Sequence, residues 1–141
     1  MRYLFALAAI LTGATSFAQK DVTNAYMLEK DGKYEEAAMA IDRAITNEKA
    51  MSKEKTWRYR GNIYTNLAAD SALIMKYPDA IYKAIESYGK AMDIDARGSY
   101  KSEQTQGMIR AQYLANDYGS KFYGTGDYKR AAEMFNASVV A

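Results

Sequence analysis

The chain has 141 residues, 19 of them Lys or Arg and 17 Asp or Glu, and neither cysteine nor histidine. Without cysteine there are no disulfides, thiolate nucleophiles, zinc–thiolate sites or lipoprotein-type lipid anchor, and without histidine the commonest general base and metal ligand is gone. The net charge is +2 and the two signs are interspersed, so there is no basic stripe and nucleic acid is not the expected partner.

In chain order, residues 1–18 have the form of a secretory signal. Arg2 gives a positive start, Tyr3 to Leu11 an apolar stretch, and Ser16-Phe17-Ala18 the small-x-small pattern of a cleavage site. Cleavage after Ala18 leaves Gln19 first, and the expected location is periplasmic or extracellular. The apolar stretch falls short of the roughly 20 residues that cross a bilayer, so membrane insertion is not expected. Residues 19–141 read as one domain, and a chain that is 49% hydrophobic has enough apolar material for a core.

A repeat organises that domain. Steps of 47 residues align Tyr34, Ile81 and Tyr128; Ala37, Ala84 and Ala131; Ala38, Ile85 and Ala132; Ile41, Tyr88 and Phe135; Ala44, Ala91 and Ser138; and Ile45, Met92 and Val139. Within each copy these positions share one face of an α-helix. Alanine there lets a neighbouring helix approach, and the larger residue between fills the gap. Turn signals at Asp31-Gly32-Lys33, Pro78-Asp79 and Gly124-Thr125-Gly126-Asp127 precede the three segments, which predicts helices near 34–47, 79–95 and 127–140.

A more variable helix leads each of them. The first is short, from about Asp21 to Lys30. The second starts around Trp57, Tyr64 and Leu67 and can run to about Tyr77. The third is marked by Met108, Ala111, Leu114, Ala115, Tyr118 and Phe122. The predicted fold is therefore all-α, about three helical hairpins stacked as an α-solenoid with lengthened leading helices.

These residues resemble the tetratricopeptide (TPR) family, whose pattern is W-x2-L-G-x2-Y, then A-x3-F, then P. Trp57-x2-Arg60-Gly61-x2-Tyr64 reproduces the first part with Arg60 in place of Leu, and Ala37-x3-Ile41, Ala84-x3-Tyr88 and Ala131-x3-Phe135 reproduce the second. Gly32-Lys33-Tyr34 and Gly126-Asp127-Tyr128 look like the family's inter-helix Gly-x-Tyr. The period departs from the family's 34 residues, with the excess between Tyr64 and Ala84, and proline is missing at the repeat ends. HEAT or armadillo solenoids, with periods of about 40–47 residues, are the structural alternative. The apolar tail Val139-Val140-Ala141 reads as the front of a longer array, or as an end buried by self-association.

In peptide-binding TPR domains, which this chain resembles, the leading helices line the groove. There a basic residue and an Asn one turn later hold a ligand carboxylate. The matching slots here are Arg58 and Asn62, and the corresponding slots of the neighbouring copies hold Gln104 and Met108, and Val22 and Tyr26, so such a clamp is incomplete. Lys55, Arg58, Asn62 and Asn66 remain as a general polar groove for a protein or peptide partner. Among the tyrosines, Tyr34, Tyr64, Tyr88 and Tyr128 are expected in the core, and Tyr59, Tyr82, Tyr100, Tyr113 and Tyr123 are freer for contacts. Asp70-Ser71-Ala72 resembles the O-glycosylation sequence of exported Bacteroidetes proteins, but three-residue patterns arise easily by chance and an ordinary helix or loop segment is the expected reading.

Catalysis is not expected. Glu35 and Glu36 sit in a first helical turn, where the helix dipole accounts for them, and Asp93 and Asp95 point apart. Neither Glu103 nor any phosphate loop, nucleophile elbow or metal-ligand spacing builds a site, so no cofactor or metal is expected. The expected function is a non-catalytic protein–protein interaction scaffold of the cell envelope. The alternatives are a helical module of a glycan- or peptidoglycan-handling assembly, or the N-terminal region of a larger enzyme.

Overall fold

The computed structural model describes residues 18–139, so the secretory-type segment lies outside the described residues except for Ala18. All regular structure among the described residues is helical. Helix α1 is described over 18–30, followed by α2 (Tyr34–Ala44), α3 (Glu48–Met51), α4 (Glu54–Ala69), α5 (Ser71–Lys76), α6 (Ala80–Ile94), α7 (Lys101–Gly124) and α8 (Tyr128–Val139). The predicted trailing helices are α2, α6 and α8; α1, α4 with α5, and α7 lead them. Helix α4 is central and packs against α2, α6 and α7, while α8 packs on α7.

Two of the turns are built alike. Gly32 and Gly126 have φ of 74° and 81°, and beyond them the Lys33 and Asp127 amides each donate at 2.9 Å to the Leu28 and Phe122 carbonyls. This closing bond satisfies a carbonyl that the helix end would orphan, and the left-handed residue inside it is glycine because a Cβ is disfavoured there. The aromatic that follows is set at the start of the trailing helix in both cases.

The aligned small residues are not all in the core, since Ala132 is exposed and Ser138 half-buried. Ala37, Ala84 and Ala131 are all buried, as are Ile41 and Tyr88 in the knob column. Tyr88 is walled by glycines from two leading helices. A Cβ added at Gly61 of α4 would lie 2.7 Å from the Tyr88 ring, and one at Gly107 of α7 would lie 2.3 Å from it. Its hydroxyl donates to Asn62 Oδ1 at 2.7 Å, and burial pushes its pKa up to about 12, so it stays a neutral donor.

Three expectations need correction. The second leading helix does not run on to Tyr77: it stops at Ala69, because Asp70 turns extended (φ −84°, ψ 120°) and its carboxylate accepts from the Ala72 and Leu73 amides at 2.9 and 3.1 Å. An aspartate that caps a new helix ends the old one. Asp70-Ser71-Ala72 is thus a helix junction. Tyr128, expected in the core, is 65% exposed and meets Tyr123 edge-to-face at 5.4 Å outside it. Its column is filled by half-buried Tyr34 and buried Ile81 in the earlier copies, where neighbouring elements cover the position. Finally, the short α3, capped by Asn47, had no counterpart in the expected pattern.

Arg60 joins three helices. It is 5% exposed, and its Nε donates to Asp42 Oδ1 at 2.9 Å while Nη1 donates to Ser87 Oγ at 2.8 Å. Asp42 also accepts from the Tyr64 hydroxyl at 2.6 Å. One guanidinium thereby ties α2, α4 and α6 where Leu would only fill volume. Its acidic partners Asp42 and Glu86 reach solvent, which lowers the cost of placing a charge there.

Candidate functional site

The leading helices α1, α4 and α7 share a polar, aromatic face. Tyr26 of α1 stacks on Tyr59 of α4 with centroids 4.7 Å apart, and Lys30 and Lys55 each lie 5.3 Å from the centroid of one of these rings. Arg58 lies between aromatics from two elements, 5.2 Å from the Tyr59 centroid and 4.2 Å from that of Tyr100. Such stacking suits a planar, weakly hydrated guanidinium.

The four sequence-predicted residues all fall on α4, but they do not play one part. Lys55 is exposed. Arg58 is buried, with Nε donating to Glu54 at 2.7 Å and Nη1 to Glu103 of α7 at 2.8 Å. Burial works against its charge, yet the two carboxylates outweigh that and raise its pKa, so it remains a cation committed to internal partners. Asn62 is half-buried and accepts from Tyr88. Asn66 bridges the flanking helices: its amide donates to Glu29 of α1 at 2.7 Å, and its carbonyl accepts from Arg110 of α7 at 2.9 Å. Arg58 and Asn62, the carboxylate-clamp slots, are therefore occupied by intramolecular bonds.

A second polar chain continues from Glu54. Its carboxylate also accepts from buried Gln104 of α7 at 2.9 Å, and Asp95, which accepts from the Ser99 and Tyr100 amides at 3.0 and 2.7 Å, sits 3.4 Å from the same Gln104 nitrogen. The α6–α7 connection is thus fixed on α4, with Tyr100 held over Arg58. Every buried side-chain polar atom described has a partner. A fully satisfied network is rigid and specifies a single arrangement.

At one edge of this face, α1, α3 and α4 enclose a cleft of about 260 Å³ with Ala18, Val22 and Ala50 in its lining. Lys49, Lys53 and Lys55 border it, all three exposed. The exposed cations of the whole face are thus Lys30, Lys55 and Arg110 plus the two lysines of the cleft. Sequence reasoning passed over Glu29, Lys30 and Arg110. Arg110 sits seven residues after Glu103 on α7, and this two-turn spacing was the available signal for a shared face.

Among the described residues, no group of three or more acidic side chains is placed to hold a metal ion, and no helix is long and apolar enough to cross a membrane. Compared with family models, curated proteins and solved structures, the chain matches none.

Proposed function

We propose that the chain is a TPR-like α-solenoid of helical hairpins, exported after cleavage at Ala18-Gln19, whose leading-helix face binds a protein partner without catalysing a reaction. The observation that carries this reading is the shared face of α1, α4 and α7. Three separate elements there present stacked tyrosines and cations on a framework fixed by Arg58, Asn66 and Gln104. Rigid aromatic anchors cost little side-chain entropy on binding, and aromatic residues with Arg are the side chains enriched at interfaces.

The buried pairs of Arg58 narrow the partner. A ligand carboxylate gains little from a guanidinium already satisfied by Glu54 and Glu103, so recognition falls to the exposed cations. An extended peptide with acidic residues spaced to reach Lys55 and Arg110 is the complementary ligand. The test is binding of the chain to an array of extended peptides, acidic and neutral. Lys55→Ala and Arg110→Ala should each weaken capture of acidic peptides by up to roughly fivefold, the scale of one exposed charge contact. Unchanged capture in both variants, or retention on polysaccharide alone, rejects the assignment.

A further inference from the structure

The lysines of the molecule differ in what they meet. Lys30, Lys76, Lys83, Lys90 and Lys121 each pair with a carboxylate. Lys49 and Lys53 pair with none among the described residues, and Lys55 meets only the Tyr59 ring, its ammonium 5.3 Å from the centroid. All three are exposed, and all three border the cleft between α1, α3 and α4. Helix stability does not account for them. Lys53 is the N-cap of α4 and Lys55 lies in its first turn, where the helix dipole favours anions and opposes a cation.

Inside that cationic rim the cleft is lined by buried Val22, Ala50 and Thr56, and no carboxylate lines it among the described residues. Of the acidic side chains nearest in sequence, Glu54 is held by Arg58 and Gln104, Asp21 by Arg43, and Glu48 is exposed outside the lining. The sequence before Ala18 contains no Asp or Glu. Cleavage after Ala18 leaves Val22, Ala50, Thr56 and the three lysines in the chain. An apolar cavity of about 150 Å³ holds one benzene ring, and pockets for whole small molecules run to roughly 300–1,000 Å³. At about 260 Å³ the cleft suits one large apolar side chain.

We propose that this cleft is the anchor pocket of the leading-helix face and takes one large apolar side chain of an acidic peptide partner. The inference rests on the reading of that face as a peptide surface, and it adds a register. In an extended chain, residues i and i+2 point to the same side about 6–7 Å apart. With the apolar residue in the cleft, carboxylates two positions to either side meet the rim of Lys49, Lys53 and Lys55. Lys55 belongs both to this rim and to the face shared by α1, α4 and α7, so the peptide runs from one onto the other. The partner segment therefore reads acidic-x-apolar-x-acidic. A buried anchor inside a polar rim concentrates binding energy, and three cations without carboxylate partners select the sign of the flanks.

Fluorescence anisotropy tests this with a labelled peptide that has Phe at its centre, Glu two positions to either side, and Gly and Ser elsewhere. Gly in place of the Phe should weaken binding by roughly tenfold, the scale of one apolar side chain buried in part. In the full chain, Lys49→Glu together with Lys53→Glu should weaken binding by roughly tenfold and flatten its dependence on salt. Thr23→Trp, at an exposed position of the lining, should fill the mouth of the cleft and block the anchor. Both variants alter only exposed side chains and should keep the native helical circular dichroism. Arg110→Ala, outside the cleft, separates the two readings. If it weakens binding while the lysine pair and Thr23→Trp do not, the anchor pocket is rejected and the face stands; if the native chain binds no such peptide, both are rejected. Equal binding of the Phe and Gly peptides overturns the anchor, and decanoate that binds as tightly as the peptide overturns it in favour of a small-molecule site.

Discussion

The second and third leading segments hold the same place in the order of helices and fill it differently. In the second, α4 ends at Ala69 and Asp70 caps the separate α5; in the third, α7 runs unbroken from Lys101 to Gly124. One 47-residue step beyond Asp70 is Asp117, which could also cap, yet its carboxylate pairs with Lys121 one turn on at 2.7 Å. The difference lies in what the trailing aromatic needs. Phe135 packs on Gly119, in the second half of α7, so that half must stay helical and in line. Tyr88 packs on Gly61, in the first half of α4, so the residues after Asp70 are released. They turn aside as α5, bury Ile74 and hold Glu35 of α2 through Lys76 and Tyr77, which keeps that carboxyl below its usual range. The lesson is that a capping residue breaks a helix where packing permits, and a close glycine contact decides where it does.

If that is right, glycines should differ sharply by position. Gly107→Ala forces a methyl into the Tyr88 ring, 2.3 Å from Cζ, while α7 and α6 are both held by other contacts. Overpacking of this kind costs about 1–3 kcal/mol, and with two walls on one ring the upper end is expected. Gly89→Ala, one residue from Tyr88 on the same α6, meets nothing within 4 Å and should instead stabilise by roughly 0.5–1 kcal/mol through helix propensity. Urea midpoints at constant m-value read both. Equal effects at the two sites would remove the glycine wall as the organising contact.

The two regions differ next in how they spend arginine. Arg60, between α2, α4 and α6, has a side chain 6% exposed, and Arg60→Leu leaves Asp42 without its guanidinium. Breaking a fully buried pair costs about 3–5 kcal/mol, but Asp42 and Glu86 can rehydrate, so about 2 kcal/mol is expected. Arg130 of α8 pairs with Asp127 at 2.7 Å with its side chain 49% exposed, and Arg130→Leu should change stability by less than about 0.5 kcal/mol. A thermal or urea comparison in which the two substitutions cost the same would show that Arg60 is not a tie between elements.

Much of this was legible in the sequence, and the limits have physical causes. The trailing helices follow from alanine and knob columns at helical spacing, and the structure places α2, α6 and α8 within a few residues of the expected spans. Alanine leaves few ways to pack, so its pattern is informative. The break at Asp70 was not legible, since Asp70 and Asp117 look alike until the partner of each glycine is known. The site was half legible. Lys55, Arg58, Asn62 and Asn66 share a helix, as counting predicted, but counting along one helix cannot show that Glu103 comes from α7 to claim Arg58, or Tyr88 from α6 to claim Asn62. Helical spacing gives position, and occupancy depends on residues far away in sequence.

The cap itself carries a smaller effect. Asp70→Ala removes the acceptor for two amides at the start of α5 and should cost about 1 kcal/mol, the usual value of an N-cap aspartate. Asp117→Ala in the unbroken α7 loses only an exposed i,i+4 pair and should cost a few tenths. Hydrogen exchange gives a sharper reading than global stability. In Asp70→Ala the amides of 71–76 should lose protection while those of α4 keep it, and uniform protection across both would mean that Asp70 does not separate two helices.

The last contrast lies between two tyrosines at the two ends of the molecule. Tyr34 and Tyr128 each open a helix after a similar glycine turn, but Tyr34 is half-buried against the core and Tyr128 is 65% exposed. Tyr34→Ser therefore removes packed ring area, and at about 25 cal/mol per Å2 a partly buried ring is worth about 1–2 kcal/mol. Tyr128→Ser gives up an edge contact with Tyr123 that is already open to water, and its cost should stay within about 0.5 kcal/mol. Urea midpoints read both, and a Tyr128→Ser cost as large as that of Tyr34→Ser would show that the Tyr128 ring is held by more than its edge contact with Tyr123.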